Sequence, residues 1–139
     1  MSNILDLSIH NSKLARKLTK IDAEAEADNE FVLAYSNINF KESAASPGIY
    51  TAITKKVSDI AFGKLKFTPK AEKKQTKTGG YVTHFNVVYG TLMVTVDKKR
   101  TLVKTGFYFQ VDQDTNYSIM NLRDDDAILD FTIVKNAID

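Results

Sequence analysis

The chain has no cysteine and no tryptophan, and only two histidines and two prolines among its 139 residues. Without cysteine there is no disulfide framework, no thiolate nucleophile and no sulfur-ligated metal, and the composition suits a reducing compartment. His10 and His84 leave little imidazole for holding a metal or for acid–base work. Neither sign of charge dominates: 19 Lys and Arg against 17 Asp and Glu give a formal net charge of +2. That is too small for the bulk field to imply a polyanionic partner. No apolar run reaches membrane-spanning length, the N-terminus lacks the apolar core of a secretory signal, and no membrane partner is expected. What remains is 43% apolar and 26% charged, ordinary for a globular domain. This length suffices for one core without metal or disulfide support. The start at Met1 is compatible with a piece of a longer chain.

The informative stretch is 79–134, where apolar residues recur with a period of two and no segment has a helical period. Thr83, Phe85, Val87 and Tyr89 alternate with His84, Asn86 and Val88. Leu92, Val94 and Val96 alternate with Met93 and Thr95. Phe107, Phe109 and Val111 alternate with Tyr108 and Gln110, and Leu129, Phe131 and Ile133 with Asp130 and Thr132. Alternation in β-branched and aromatic residues marks half-buried strands. Gly90, residues 97–100, Gly106, 112–116 and 123–126 supply the turns. Five or six such strands in about 55 residues predict an all-β jelly roll.

The preceding chain is less regular. Leu14, Leu18, Ile21 and Ala25 share one face of a possible helix. Lys13, Arg16, Lys17 and Lys20 at its start, with Asp22, Glu24, Glu26 and Asp28 at its end, oppose the macrodipole. Residues 1–29 are therefore expected as a charged, partly ordered and partly helical extension, with the domain proper over 30–139. Strands are expected over 30–40, 49–57 and 59–67, the last with an interior Gly63 that signals a bulge or close backbone approach. Residues 68–80 compose as a loop with Lys70, Lys73, Lys74 and Lys77. With Lys55 and Lys56 they offer a phosphate-binding patch. No aromatic residue interleaves with them to stack on bases, which favours a solvated connection. Residues 136–139 are expected to fray.

The turn-and-strand punctuation resembles the cupin superfamily, small β-barrels whose pocket usually holds a metal. Its second motif, G-x5-P-x-G-x2-H-x3-N, lays on this chain without a gap. Gly106 opens it, Asp112 takes the proline position, Asp114 the glycine, Tyr117 the histidine, and Asn121 closes it. In the first motif Gly90 takes the closing glycine, Thr83 the glutamate position, and Gly79 and Lys77 the two histidine positions. All four metal-ligand positions, Lys77, Gly79, Thr83 and Tyr117, thus carry replacements. Hydroxyl, phenol and ammonium do not substitute for imidazoles and a carboxylate around a divalent ion. His84 neighbours Thr83 and falls on the opposite face of its strand. No metal, cofactor or catalytic residue is expected.

Within that superfamily, VTHFNVVYGTLMVTV and TGFYFQVDQDTNYSIMNLRDDDAILDFTIVKN are similar to the C-terminal cupin domain of the CENP-C family of inner-kinetochore proteins. The family's Y/F-G turn, T-G-x-x-F-x-V, N-x-Y-x-I-x-N-L/I and L-x-F-T segments fall at 87–90, 105–111, 116–122 and 129–132, and FGKLKFTPKAEKK resembles its G-K-L-x-L-x-P strand and loop. The family's P-x-G-N turn is here DQDTN, one residue longer and without proline. The resemblance implies a non-catalytic homodimerisation and partner-recruitment module, placed in the nucleus at centromeres and kinetochores. Its implied partners are centromere and kinetochore proteins, among them a chaperone or loading factor for the centromeric histone. Centromeric chromatin would be reached only through segments upstream. The family's nucleosome-binding motif needs clustered arginines and a tryptophan, whereas this chain has Arg16, Arg100, Arg123 and no tryptophan.

If Thr83, Phe85 and Val87 point inward, Val88, Met93, Met120 and Ile128 point outward. Together with Ile60, Phe62, Leu65 and Phe67 they are the expected dimer or partner surface. Phe85, Tyr89, Phe109, Tyr117 and Phe131 are expected to line the barrel pocket, which competes as a peptide or small-ligand site. Direct DNA binding through the lysine-rich loop is a further alternative, and a metal-dependent oxygenase or isomerase lacks its ligand set.

Overall fold

The structure, a computed structural model, describes residues 31–135. The possible helix carrying Leu14, Leu18, Ile21 and Ala25, His10, and the terminal residues 136–139 lie outside the described residues. The chain divides into two compact units, Met1–Ile38 and Asn39–Asp139.

Among the described residues 31–40 the strand expected over 30–40 is not formed. Residues 35–37 make a single 3-10 turn, in which the Asn37 and Ile38 amides donate to the carbonyls of Ala34 and Tyr35 at 2.9 and 3.0 Å. These local bonds take amides that a ladder would need, so β-forming composition alone does not make a strand here.

The second unit is all-β. Its strands are β1 (Lys41–Glu42), β2 (Ile49–Val57), β3 (Ile60–Phe67), β4 (Glu72–Lys77), β5 (Tyr81–Tyr89), β6 (Thr91–Val96), β7 (Lys99–Lys104), β8 (Tyr108–Val111), β9 (Asn116–Asn121) and β10 (Ala127–Lys135). They form a six-stranded sheet, β1-β2-β3-β10-β5-β8, and a four-stranded sheet, β4-β9-β6-β7. Every pairing is antiparallel. The two inner faces enclose one core, with Phe67, Phe85, Ile49, Leu92, Ile119, Leu129 and Val111 among its fully buried side chains. This is the jelly roll expected from the alternation, with one apolar face per sheet.

Besides the two-residue β1, two strands were not legible as strands. β4 lies in the lysine-rich stretch expected as a loop. It has no apolar residue and is held as an edge strand by its ladder to β9. β7 follows a tight turn in which Asp97 and Lys98 both take positive φ, 46° and 72°. That geometry matches the twist of a two-residue hairpin.

Two surface assignments are corrected by strand parity. Leu65 and Phe67 are 5% and 0% exposed and belong to the core, not to a dimer face. Gly63 shares their inward side, so Ile60 and Phe62 are the residues turned out. Gly63 also explains itself: a Cβ there would stand 2.3 Å from the Phe131 ring and 2.4 Å from the Ala52 carbonyl oxygen. β2 bulges between Ile53 and Lys55, opposite this close approach. Tyr89, expected in the pocket, is instead on the outside. The β5–β10 register pairs Leu129 with Val87 but Ile128 with Tyr89, so Val88 is an inserted residue that reverses the parity after it. The chain then turns at Gly90, φ +127°, where a Cβ would meet that of Ala127 at 2.7 Å. Gly106 turns at φ +90°.

Candidate functional site

A cavity of about 210 Å³ lies between the sheets. Thr83, Phe85, Tyr117 and Phe131 form its inner wall, and Lys73, Thr76, Lys77 and Tyr81 its side toward β4. Three of the four positions aligned with cupin metal ligands, Lys77, Thr83 and Tyr117, therefore converge on one space. The fourth, Gly79, is not in the wall. It sits in the β4–β5 connection, where its carbonyl accepts the Asp114 amide at 2.8 Å. Asp114 occupies the cupin glycine position and takes the left-handed φ of 51° that glycine usually supplies. Thr78, 2% exposed, reinforces this rim: its hydroxyl donates to the Asp112 carbonyl at 2.7 Å and accepts the Thr115 amide at 3.0 Å.

Of the expected pocket aromatics, Phe85, Tyr117 and Phe131 line the cavity; Phe109 and Tyr89 do not. Phe109 pairs with Phe85 across β5 and β8 and stacks on its ring, with centroids 4.6 Å apart and planes 16° apart. Tyr89 works outside. Its hydroxyl donates to Asp125 at 2.8 Å, Arg123 bonds the other oxygen of that carboxylate at 3.0 Å, and the Arg123 guanidinium lies 5.9 Å from the Tyr89 ring. The hydrogen bond from Tyr89 is the main cause that holds the Asp125 carboxyl below its ordinary range; burial opposes it, and the hydrogen bond and charge of Arg123 add to the lowering.

Tyr117 is 7% exposed, and its ring is tilted 54° to that of Phe85 with centroids 6.0 Å apart. Burial, with a lesser contribution from Tyr81, pushes its hydroxyl up to about 12. It is a neutral donor and acceptor at any ordinary pH. The residue that sequence reasoning did not single out is Lys73. β4 pairs Lys73 with Ile119 and Thr76 with Tyr117, one residue more than β9 supplies between the same points. Ile119 and Tyr117 point inward, so Lys73 does too, its ammonium 5.6 Å from the Tyr117 ring centroid. Burial pushes that ammonium below the ordinary lysine value. Nothing in EKKQTK marks one lysine from the next; only the ladder to β9 aims it.

Two lysines of the stretch expected as a phosphate patch are engaged elsewhere. Lys73 is turned in, and Lys70 donates to the Leu122 carbonyl at 2.8 Å with Asp124 at 3.8 Å. A divalent cation does not fit the cavity. Two ammonium groups line it, and among the described residues no group of three or more His, Cys, Asp or Glu is placed to ligate a metal. His84 faces outward and bonds the Tyr108 hydroxyl.

The expected surface residues separate onto different faces. Met93 and Met120 are directly paired, flanked by Leu102, on the outside of the four-stranded sheet. Val88, 46% exposed, and Ile128 lie at the β5 bulge. On the outside of the six-stranded sheet Val57, Ile60, Val134 and Val82 are paired in one row across β2, β3, β10 and β5, with Phe62 in the next row.

Several known proteins share this framework. Centromere protein C of Homo sapiens is 34% identical over 73 residues, which is 52% of this chain but 8% of that protein. The Cnp3 cupin domain of Schizosaccharomyces pombe has the same fold, with a TM-score of 0.70 at 20% identity over 78% of this chain and 76% of that one. The Drosophila melanogaster CENP-C cupin domain gives a TM-score of 0.63 at 19% identity, covering 90% of this chain and 99% of that one. The Mif2/CENP-C like family model matches residues 50–133, more than half of the chain, and the chain belongs to that family.

Proposed function

We propose that this domain is a non-catalytic homodimerisation module of a centromere protein, working in the nucleus at the inner kinetochore and recruiting further centromere proteins. Family membership and the name of the human relative support the setting. The partners it recruits there include a chaperone or loading factor for the centromeric histone, and segments outside this piece make the contact with chromatin.

One observation carries the dimerisation: the row Val57–Ile60–Val134–Val82 with Phe62 beside it. Val57, Ile60 and Phe62 are 49%, 37% and 42% exposed. Four β-branched residues paired side by side on an outer sheet face form a contiguous apolar strip, unlike scattered surface residues. A two-fold contact places the same strip on both copies, covering each with the other. The strip ends toward β8, where His84, Tyr108, Gln110 and Asp112 form a hydrogen-bonded polar chain.

Light scattering on the full chain at micromolar concentration gives a dimer mass, and Phe62→Asp converts it to a monomer that keeps its circular dichroism. Met120→Asp, on the opposite sheet, leaves the dimer intact. A wild-type monomer across that concentration range overturns the reading, and a dimer lost only with Met120→Asp moves the contact to the other face.

A further inference from the structure

A cation inside a protein costs free energy unless an anion or hydrogen bonds compensate it. Lys73 is half-buried and inward-pointing, yet its ammonium makes no salt bridge or hydrogen bond among the described residues. The ring of Tyr117 at 5.6 Å compensates it only in part. Beside it is open space. The 210 Å³ of the cavity equals roughly seven waters at about 30 Å³ each. That is below the range of about 300–1,000 Å³ typical for larger ligands. No acidic residue lines this space, and Lys77 adds a second positive charge. The rings of Phe85, Tyr117 and Phe131 make up its inner wall, with the Thr76 and Thr83 side chains beside them.

A small, strongly hydrated polyanion suits such walls poorly, because the rings give back little of its hydration. An anion with a single charge at one end and a flat apolar body at the other suits them well. We propose that the cavity binds a small organic carboxylate, its charged end paired with Lys73 and its apolar body against Phe85, Tyr117 and Phe131. The positive charge that faces it is carried by a side chain of the protein itself. The carboxylate can arrive on a free acid or on an acidic side chain of a peptide, since both present the same group. The proposal is independent of dimerisation, because the cavity lies between the sheets of one subunit and the apolar strip lies on an outer face.

An inward-pointing lysine on an edge strand also discourages strand addition. That role requires no cavity and confers no preference among solutes, so ligand selectivity separates the two.

The test is a titration of the full chain with sodium phenylacetate, followed by NMR, with the isosteric phenylacetamide as neutral control at matched ionic strength. The expected result is saturable shifts of the Tyr117, Phe85 and Phe131 ring signals with the acid and none with the amide. Lys73→Met weakens binding by about tenfold or more, and Lys73→Arg retains it. Equal responses to acid and amide, a phenylacetate affinity unchanged in Lys73→Met, or shifts mapping away from the cavity overturn the proposal. The acid–amide contrast is read on the wild-type chain and so survives a variant that fails to fold. A blocked peptide carrying one glutamate beside a phenylalanine separates the sources. Tighter binding than phenylacetate assigns the site to a partner segment, and binding of phenylacetate alone assigns it to a free acid.

Discussion

Asn121 and Lys73 both reach between the sheets of this domain, and their surroundings differ. Asn121, 0% exposed, is saturated: its amide nitrogen donates to the carbonyls of Phe67, Thr68 and Asp125 at 3.3, 3.1 and 2.8 Å, and its side-chain oxygen accepts the Arg123 amide at 3.0 Å. Its backbone amide bonds Ala71 at 2.9 Å. It ties the ends of β3 and β9 to the turn before β10. Lys73 has the face of the Tyr117 ring and a cavity instead. A buried polar group whose every atom is spoken for is explained by the fold. One left with capacity to spare asks for something the fold does not provide.

That contrast can be broken in three ways. The largest effect belongs to Asn121→Ala, which strands several buried carbonyls and an amide at once and leaves a void. The expected loss is roughly 3–4 kcal/mol of unfolding free energy, measured by urea denaturation at one fixed protein concentration. A loss below about 1 kcal/mol would mean that water replaces the asparagine without cost.

Next comes the pH dependence of Tyr117. Its folded value of about 12 lies above the value of about 10 for an unfolded tyrosine. A group raised by folding contributes stability that is complete below the unfolded value and lost as pH climbs through the folded one. Stability therefore falls between about pH 10 and 12, by roughly 2–3 kcal/mol from this residue. Tyr117→Phe, which keeps the ring, flattens that part of the profile. Identical alkaline profiles for the two proteins would remove the buried phenol from the account.

The smallest effect is the most pointed. Lys73→Met replaces a partly desolvated ammonium by an apolar chain of similar length, so stability at neutral pH stays level or rises by about 0.5 kcal/mol after allowing for solvent screening. A drop of more than about 1 kcal/mol would show that the ammonium already has a stabilising partner, and the comparison with Asn121 would fail.

Much of the fold was readable in the chain because β5, β6, β9 and β10 bury one face each, and that writes period-two alternation into the residues. Tyr117, Phe85 and Phe131 were readable as an inner wall for the same reason. The failures have equally local causes. In IAFGKLKF both parities carry large apolar residues, so Leu65 and Phe67 could be taken for the outside until the pairing of β3 with β10 fixed the face. Tyr89 was misplaced by a single inserted residue, Val88, which no composition announces. β4 contributes no apolar side chain, and the bulge that turns Lys73 inward exists only relative to β9. Conversely, the apolar residues of 31–40 suggested a strand where the local bonds of a 3-10 turn prevail. Alternation reports burial; it is silent where a strand is held by backbone pairing alone.

The absent side chain at Gly63 has a consequence for the chamber between the sheets. The tip of the Phe131 ring stands where a methyl group would be, with the Ala52 carbonyl close on the other side. Anything larger than hydrogen at this position has to displace one of them, and the ring is part of the chamber wall. The internal volume is thus calibrated from the neighbouring strand, by a substituent that the chain leaves out.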